Sequence, residues 1–238
     1  MVHNYKNLII NKYDSCSKLF SELCRYFNEL HEKTNNRFYI FPGGETPIPF
    51  YKILSTKVKD WEHTNLILSD ERIVEPNSSK SNSVLLNKHL IDKIRIHPKP
   101  HYIDLNKYIH EKKNILSINT FDLDQITSLV PEICFLGLGE DGHFASIFPD
   151  KIDHNSSTLF ITKNLEESFY RISLSFNYIL KSKKIVLIIV GNRKSEILYK
   201  FIYKDIDPLT YPIKSLFNYY DGEILIFCDE EAGYLIEE

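Results

Sequence analysis

The sequence predicts an α/β protein with a mostly parallel sheet and helices on both faces. Three observations carry that reading. Short apolar runs alternate with segments of helical periodicity. Four polar or glycine-rich motifs each directly follow such a run. No internal repeat or low-complexity linker interrupts the chain, which favours one α/β domain over residues 1–238.

In order along the chain, Asp14–Lys33 sets Cys16, Leu19, Phe20, Leu23, Phe27 and Leu30 at helical spacing, marking one buried face. Arg37–Phe41 is short, aromatic and β-branched, and reads as a strand stopped by Pro42-Gly43-Gly44. Thr46 reads as an N-cap and Pro47 as the first turn of a helix reaching about Thr56. Asn65–Ser69 is the next strand and Ser81–Leu90 the next helix. Residues 106–119 are polar and weakly patterned and receive no assignment. Leu123–Val130 suits a helix and Ile133–Leu136 a short strand. Strands at Arg171–Ser175 and Lys184–Val190 bracket a short helix. A helix from Gly191 to about Tyr203 and a last strand at Glu223–Cys228 complete the pattern.

Composition excludes several classes. The 29 Lys and Arg against 32 Asp and Glu leave a net charge of −3, with no electrostatic reason to coat nucleic acid or an anionic membrane. The longest aliphatic run, Ile185–Val190, is far below the roughly 20 residues of a membrane span. Cys16, Cys24, Cys134 and Cys228 form no close pair, so reduced thiols in a cytoplasmic protein are expected. The opening MVHNYKNLII has neither a basic segment nor a small-residue cleavage site, so no signal peptide is expected.

In open α/β sheets ligands bind beyond the carboxyl ends of the strands, which makes the four motifs informative. Gly43 and Gly44 let the backbone approach a ligand, and the helix after them points free amides at an anion. A plain strand-to-helix turn explains the same residues. In Ser69-Asp70-Glu71-Arg72, Arg72 suits a phosphate or hydroxyl, while Asp70 either holds sugar hydroxyls or orients a water. A solvated turn is the plainer account. Gly137-Leu138-Gly139-Glu140-Asp141-Gly142-His143 is the richest motif: His143 can take a proton from water, and a nearby carboxylate can fix its tautomer. A structural histidine or a metal site at Asp141 and His143 are the alternatives, the latter without further ligands of matching spacing. Lys194, after Gly191, and Arg171 are further cations, each with a solvent-facing or ion-pairing alternative. Together the motifs describe a pocket for a small phosphorylated polar molecule. Neither a Walker lysine pattern nor a dinucleotide glycine fingerprint occurs.

These residues resemble a known family. Gly43-Gly44-Glu45-Thr46-Pro47, Asp70-Glu71-Arg72 with Ser81-Asn82, GLGEDGHFASIFP from Gly137 to Pro149, Arg171-Ile172-Ser173, and Gly191 with Lys194 look like the 6-phosphogluconolactonases of the glucosamine-6-phosphate isomerase/6-phosphogluconolactonase family. The long DGH string is specific, and a weaker match runs on to Pro212, Asp229 and Ala232. The resemblance implies a Rossmann-like sheet as in glucosamine-6-phosphate isomerase/deaminase. It also implies hydrolysis of 6-phospho-D-glucono-1,5-lactone to 6-phospho-D-gluconate in the oxidative pentose phosphate pathway, without metal or cofactor. By the same resemblance His143 is the general base, with Asp141 and Asp70 as acidic residues near it or the sugar ring. Gly43, Gly44, Thr46, Arg72, Asn82, Arg171 and Lys194 become phosphate and sugar ligands. The implied partner is a phosphorylated sugar lactone, with no nucleic acid and no membrane; the oligomeric state is not indicated.

Pro42 stands where the family commonly has serine, and Phe227 where it usually has tryptophan. Two rival readings follow from the same relationship. An isomerase/deaminase typically carries an acid just before the proline closing the DGH motif, where this chain has Phe148. A non-catalytic sugar-phosphate sensor needs an output module, for which the residues before Arg37 leave little room.

Overall fold

The computed structural model describes residues 7–75, 77–103, 105, 120–121, 124–151, 158–164 and 166–236. Seven described strands form one parallel sheet: β1 (Leu8–Tyr13), β2 (Phe38–Phe41), β3 (Asn65–Leu68), β5 (Lys99–Pro100), β7 (Ile133–Gly137), β10 (Lys184–Ile189) and β11 (Glu223–Asp229). Their order across the sheet is β1-β11-β10-β7-β2-β3-β5. The helices are α1 (Cys16–Lys33), α2 (Ile48–Lys57), α3 (Asn82–His89), α4 (Asp124–Thr127), α5 (Phe176–Ile179), α6 (Ser195–Tyr203) and α7 (Pro212–Tyr219).

The central strands β2, β7 and β10 are nearly continuous apolar runs because both faces of the sheet are covered there. Successive side chains point to opposite faces, so each strand feeds two cores. Phe38 and Ile40 join one core, with Leu187 of β10 and the α6 residues Leu198 and Phe201. Tyr39 and Phe41 join the other, with Ile188 of β10, Leu23 and Phe27 of α1, and Phe50 and Leu54 of α2. The expected two-sided parallel sheet is thus present.

A second sheet is not in the sequence-based expectation. β4 (Asp70–Arg72), β9 (Arg171–Leu174), β8 (Leu159–Thr162) and β6 (Thr120–Phe121) pair antiparallel in that order. Asp70-Glu71-Arg72 therefore forms a strand, not a turn. No apolar alternation marks it; its extended form comes from pairing with β9, a tertiary influence on local preference. Ser69 joins the two sheets: its N–H donates to the Phe41 carbonyl at 2.8 Å, and its own carbonyl accepts from Leu174 N at 2.9 Å.

Three further differences concern helices. Thr46 does not cap α2. Pro47 holds that position with helical backbone angles and no side-chain cap bond. The helix expected at Leu123–Val130 is described only as the short α4. α7 is additional, and residues 106–119 lie outside the described positions. All four cysteines are free thiols, and no helix among the described residues is long and apolar enough to cross a membrane.

Candidate active site

The strands that carry the four motifs, β10, β7, β2 and β3, are consecutive neighbours in the parallel sheet. Their carboxyl ends therefore meet along one rim, where a cavity of about 190 Å³ opens. Its wall includes Gly43, Gly44, Thr46, Asp70, Arg72, Asn82, His143, Arg171 and Lys194. Of the residues singled out from sequence, Asp141 alone is not on this wall. It sits behind His143, with Oδ1 2.6 Å from His143 Nδ1 and 3.2 Å from the His143 N–H.

The loop after β7 is folded tightly around that pair. Gly139 N donates to the His143 carbonyl at 2.8 Å, and a Cβ on Gly139 would lie 2.1 Å from His143 Nδ1. Gly142 has φ +79°, and its carbonyl accepts from Ile213 N at 2.9 Å, so α7 buttresses the loop. The Phe148 ring lies 4.8 Å from the His143 ring. Burial raises the Asp141 pKa, but the hydrogen bond and charge of His143 outweigh it and leave the carboxyl below its ordinary value. A carboxylate on Nδ1 selects the Nδ1–H tautomer and leaves Nε2 with its lone pair.

Also on the wall, Asp70 is buried, and its Oδ2 accepts from Ser146 Oγ at 2.5 Å and Arg171 Nη1 at 3.3 Å. Arg171 is also buried, with Nε donating to Glu167 Oε2 at 2.7 Å. Burial disfavours its charge, but Glu167 and Asp70 outweigh that and hold its pKa above the ordinary value. Much of its donor capacity is thus spent inside the protein. Arg72 donates from Nη1 to the Lys80 carbonyl at 2.6 Å, and its Nε is buried with no partner among the described residues. Lys194 comes from the 3₁₀ turn Asn192–Lys194 after Gly191. Burial lowers its pKa, Glu140 and Asp141 oppose this, and Arg193 adds to it.

Asn82 lines the cavity and also bonds to the protein: Nδ2 donates to the Asp70 carbonyl at 2.9 Å, and Oδ1 accepts from Gly44 N at 3.1 Å. It braces the glycine turn against β4. Sequence reasoning assigned no role to Glu71, Ser146 or Glu167. Glu167 stands only four positions before Arg171, but in a non-helical segment, where that spacing is no signal.

The profile of the family described as glucosamine-6-phosphate isomerases/6-phosphogluconolactonase matches residues 11–225. A 6-phosphogluconolactonase of Helicobacter pylori is 28% identical over 207 residues, covering 85% of this chain and 88% of the relative. A crystal structure of 6-phosphogluconolactonase from Leishmania guyanensis superposes with a TM-score of 0.77 at 20% identity, covering 97% of this chain and 99% of the other. A monomeric glucosamine-6-phosphate deaminase superposes with a TM-score of 0.72 at 15% identity, covering 95% and 99%. With a profile match running from β1 into β11, the chain belongs to the glucosamine-6-phosphate isomerase/6-phosphogluconolactonase family.

Proposed function

We propose that this chain hydrolyses 6-phospho-D-glucono-1,5-lactone to 6-phospho-D-gluconate, the reaction its 6-phosphogluconolactonase relatives are named for. One observation carries the proposal: a histidine with Nδ1 tied to a carboxylate shares a cavity wall with a glycine turn and the cations Arg72, Arg171 and Lys194.

His143 Nε2 takes a proton from water as the water oxygen bonds to the lactone carbonyl carbon. Negative charge gathers on the carbonyl oxygen, where main-chain amides or a cation of the rim offset it. The tetrahedral adduct collapses by breaking the bond from the acyl carbon to the ring oxygen. The imidazolium returns its proton to that oxygen, giving a hydroxyl and a carboxylic acid that ionises in water. Asp141 holds the ring in place and offsets its transient charge. Arg72, Lys194 and the Gly43-Gly44 turn bind the phosphate and so orient the lactone over His143. In this reading Asp70, beside its bonds to Ser146, Arg171 and Ser69, accepts from a sugar hydroxyl.

Phe148 favours hydrolysis over isomerisation and deamination. Its apolar ring packs on His143 at the position where the deaminase pattern has an acid.

The test is turnover of freshly generated phosphorylated lactone beside free gluconolactone, corrected for spontaneous hydrolysis. Wild type is expected to prefer the phosphorylated ester strongly, and His143→Ala to lose about 10²–10⁴-fold in kcat. Ammonia release from glucosamine 6-phosphate, with no lactone turnover, would replace this reading.

A further inference from the structure

Glu71 lies between two residues of the cavity wall, yet is itself buried and takes no part in the proposed reaction. Both its carboxylate oxygens act as acceptors. Oε1 takes the main-chain N–H of Arg72 and of Asn82, each at 2.7 Å. Oε2 takes Ser83 N at 2.7 Å, Ser83 Oγ at 2.6 Å and Ser81 Oγ at 3.0 Å. Two of these amides, those of Asn82 and Ser83, open helix α3. Helix-opening amides lack intrahelical partners, and a carboxylate there also meets the positive end of the helix dipole.

The clamp bears on the pocket through Asn82. That residue's main chain is held by Glu71, and its amide bridges the Asp70 carbonyl to the Gly44 N–H. Gly43 is packed so closely on it that a Cβ would lie 2.0 Å from Asn82 Nδ2. A shift of α3 therefore moves the glycine turn, while the bond to Arg72 N ties that cation to the same frame.

We infer that Glu71 is a positioning residue: through Asn82 it sets the glycine turn and Arg72 at the spacing a phosphate requires, and so governs preference for phosphorylated over free lactone. The inference rests on the lactonase reading.

The experiment measures kcat/KM for both lactones in wild type, Glu71→Gln, Asn82→Ala and the double variant. Glu71→Gln keeps size but puts an NH₂ group against N–H donors. General destabilisation lowers the active fraction equally for both substrates and leaves their ratio untouched. Glu71→Gln is expected to cut the ratio at least about fivefold, mainly through KM for the phosphorylated ester. Asn82→Ala should do likewise. The double variant should fall within about twofold of the worse single, because the two residues act in series. An unchanged ratio in Glu71→Gln, or losses that simply multiply, would overturn the inference. Should Glu71→Gln fail to fold, Ser83→Ala removes one donor from the clamp. A ratio cut about twofold or more supports the role, and an unchanged ratio sinks it. If wild type turns over neither lactone, the lactonase reading fails by itself. The clamp is then read from 6-phosphogluconate affinity by calorimetry, weakened in Glu71→Gln if Glu71 positions the turn and equal to wild type if it does not.

Discussion

Arg72 and Arg171 face each other directly across the antiparallel β4–β9 pair. Like charges at opposed positions destabilise a sheet by a fraction of a kcal/mol to about 1 kcal/mol. Glu167 answers part of this charge: burial raises its pKa, but the Arg171 hydrogen bond and charge, then Arg72 and His143, bring it below the ordinary value. A dianion arriving between the arginines would answer more. Arg72→Met is therefore expected to leave the melting temperature unchanged or raised. KM for the phosphorylated lactone should rise about 10- to 100-fold, the scale of a lost charge-assisted hydrogen bond. Thermal scans beside steady-state kinetics check both halves.

Asp141→Asn is expected to reduce kcat about 10²–10⁴-fold with little change in KM, because Asp141 touches His143 and not the cavity. The pH dependence has a definite sign. The folded pKa of Asp141 is lowered from 3.8, so its stabilising pair with His143 is fully present above that value and is lost as pH falls through the lowered one. Acid titrations should show a gap in favour of wild type over Asp141→Asn above pH 3.8 that closes as pH falls through the lowered value. A gap that widens as pH falls would contradict this.

The two glycines of the turn should fail differently. Gly44 has φ +80° with open space around a Cβ, so Gly44→Ala costs about 1–2 kcal/mol of backbone strain in a urea titration. Gly43→Ala must push Asn82 aside. Its kcat/KM should fall by about 10²-fold, the usual penalty for misplacing a binding loop by about an ångström.

Phe27 is fully buried beneath the sheet, with its ring against those of Tyr39, Phe41, Phe50, Trp61 and Phe135. Phe27→Ala should cost about 3–5 kcal/mol by chemical denaturation. The native fraction should keep its KM, since neither Phe27 nor any of those five rings lines the cavity.

The strand-end motifs are legible in the sequence because each apolar run gives way abruptly to glycine or charge, a contrast created by burial itself. That β10, β7, β2 and β3 stand side by side is not legible, since crossovers and not chain order decide adjacency. The small sheet escapes for another reason. Asp70-Glu71-Arg72 has no apolar face, and only its pairing with β9 makes it a strand. Asn82 shows the same limit at one side chain. As a polar residue opening a helix it suits a ligand site, but nothing local shows that its amide also bridges Asp70 and Gly44, residues separated from it by 12 and 38 positions. Ser146 is similar, meeting Asp70 across 76 positions.

The placement of β11 has a consequence for how the polypeptide is made. It lies between β1 and β10 and runs parallel to both, so β1 has no sheet neighbour until β11 has left the ribosome. Contacts this distant along a chain form slowly. Asp229, at the end of β11, also accepts the Gly191 N–H at 3.0 Å and so steadies the turn that presents Lys194. A nascent chain halted before that strand would hold most of the rim but leave the lysine's turn without the Asp229 carboxylate, so the rim is fully braced only once β11 has joined the sheet.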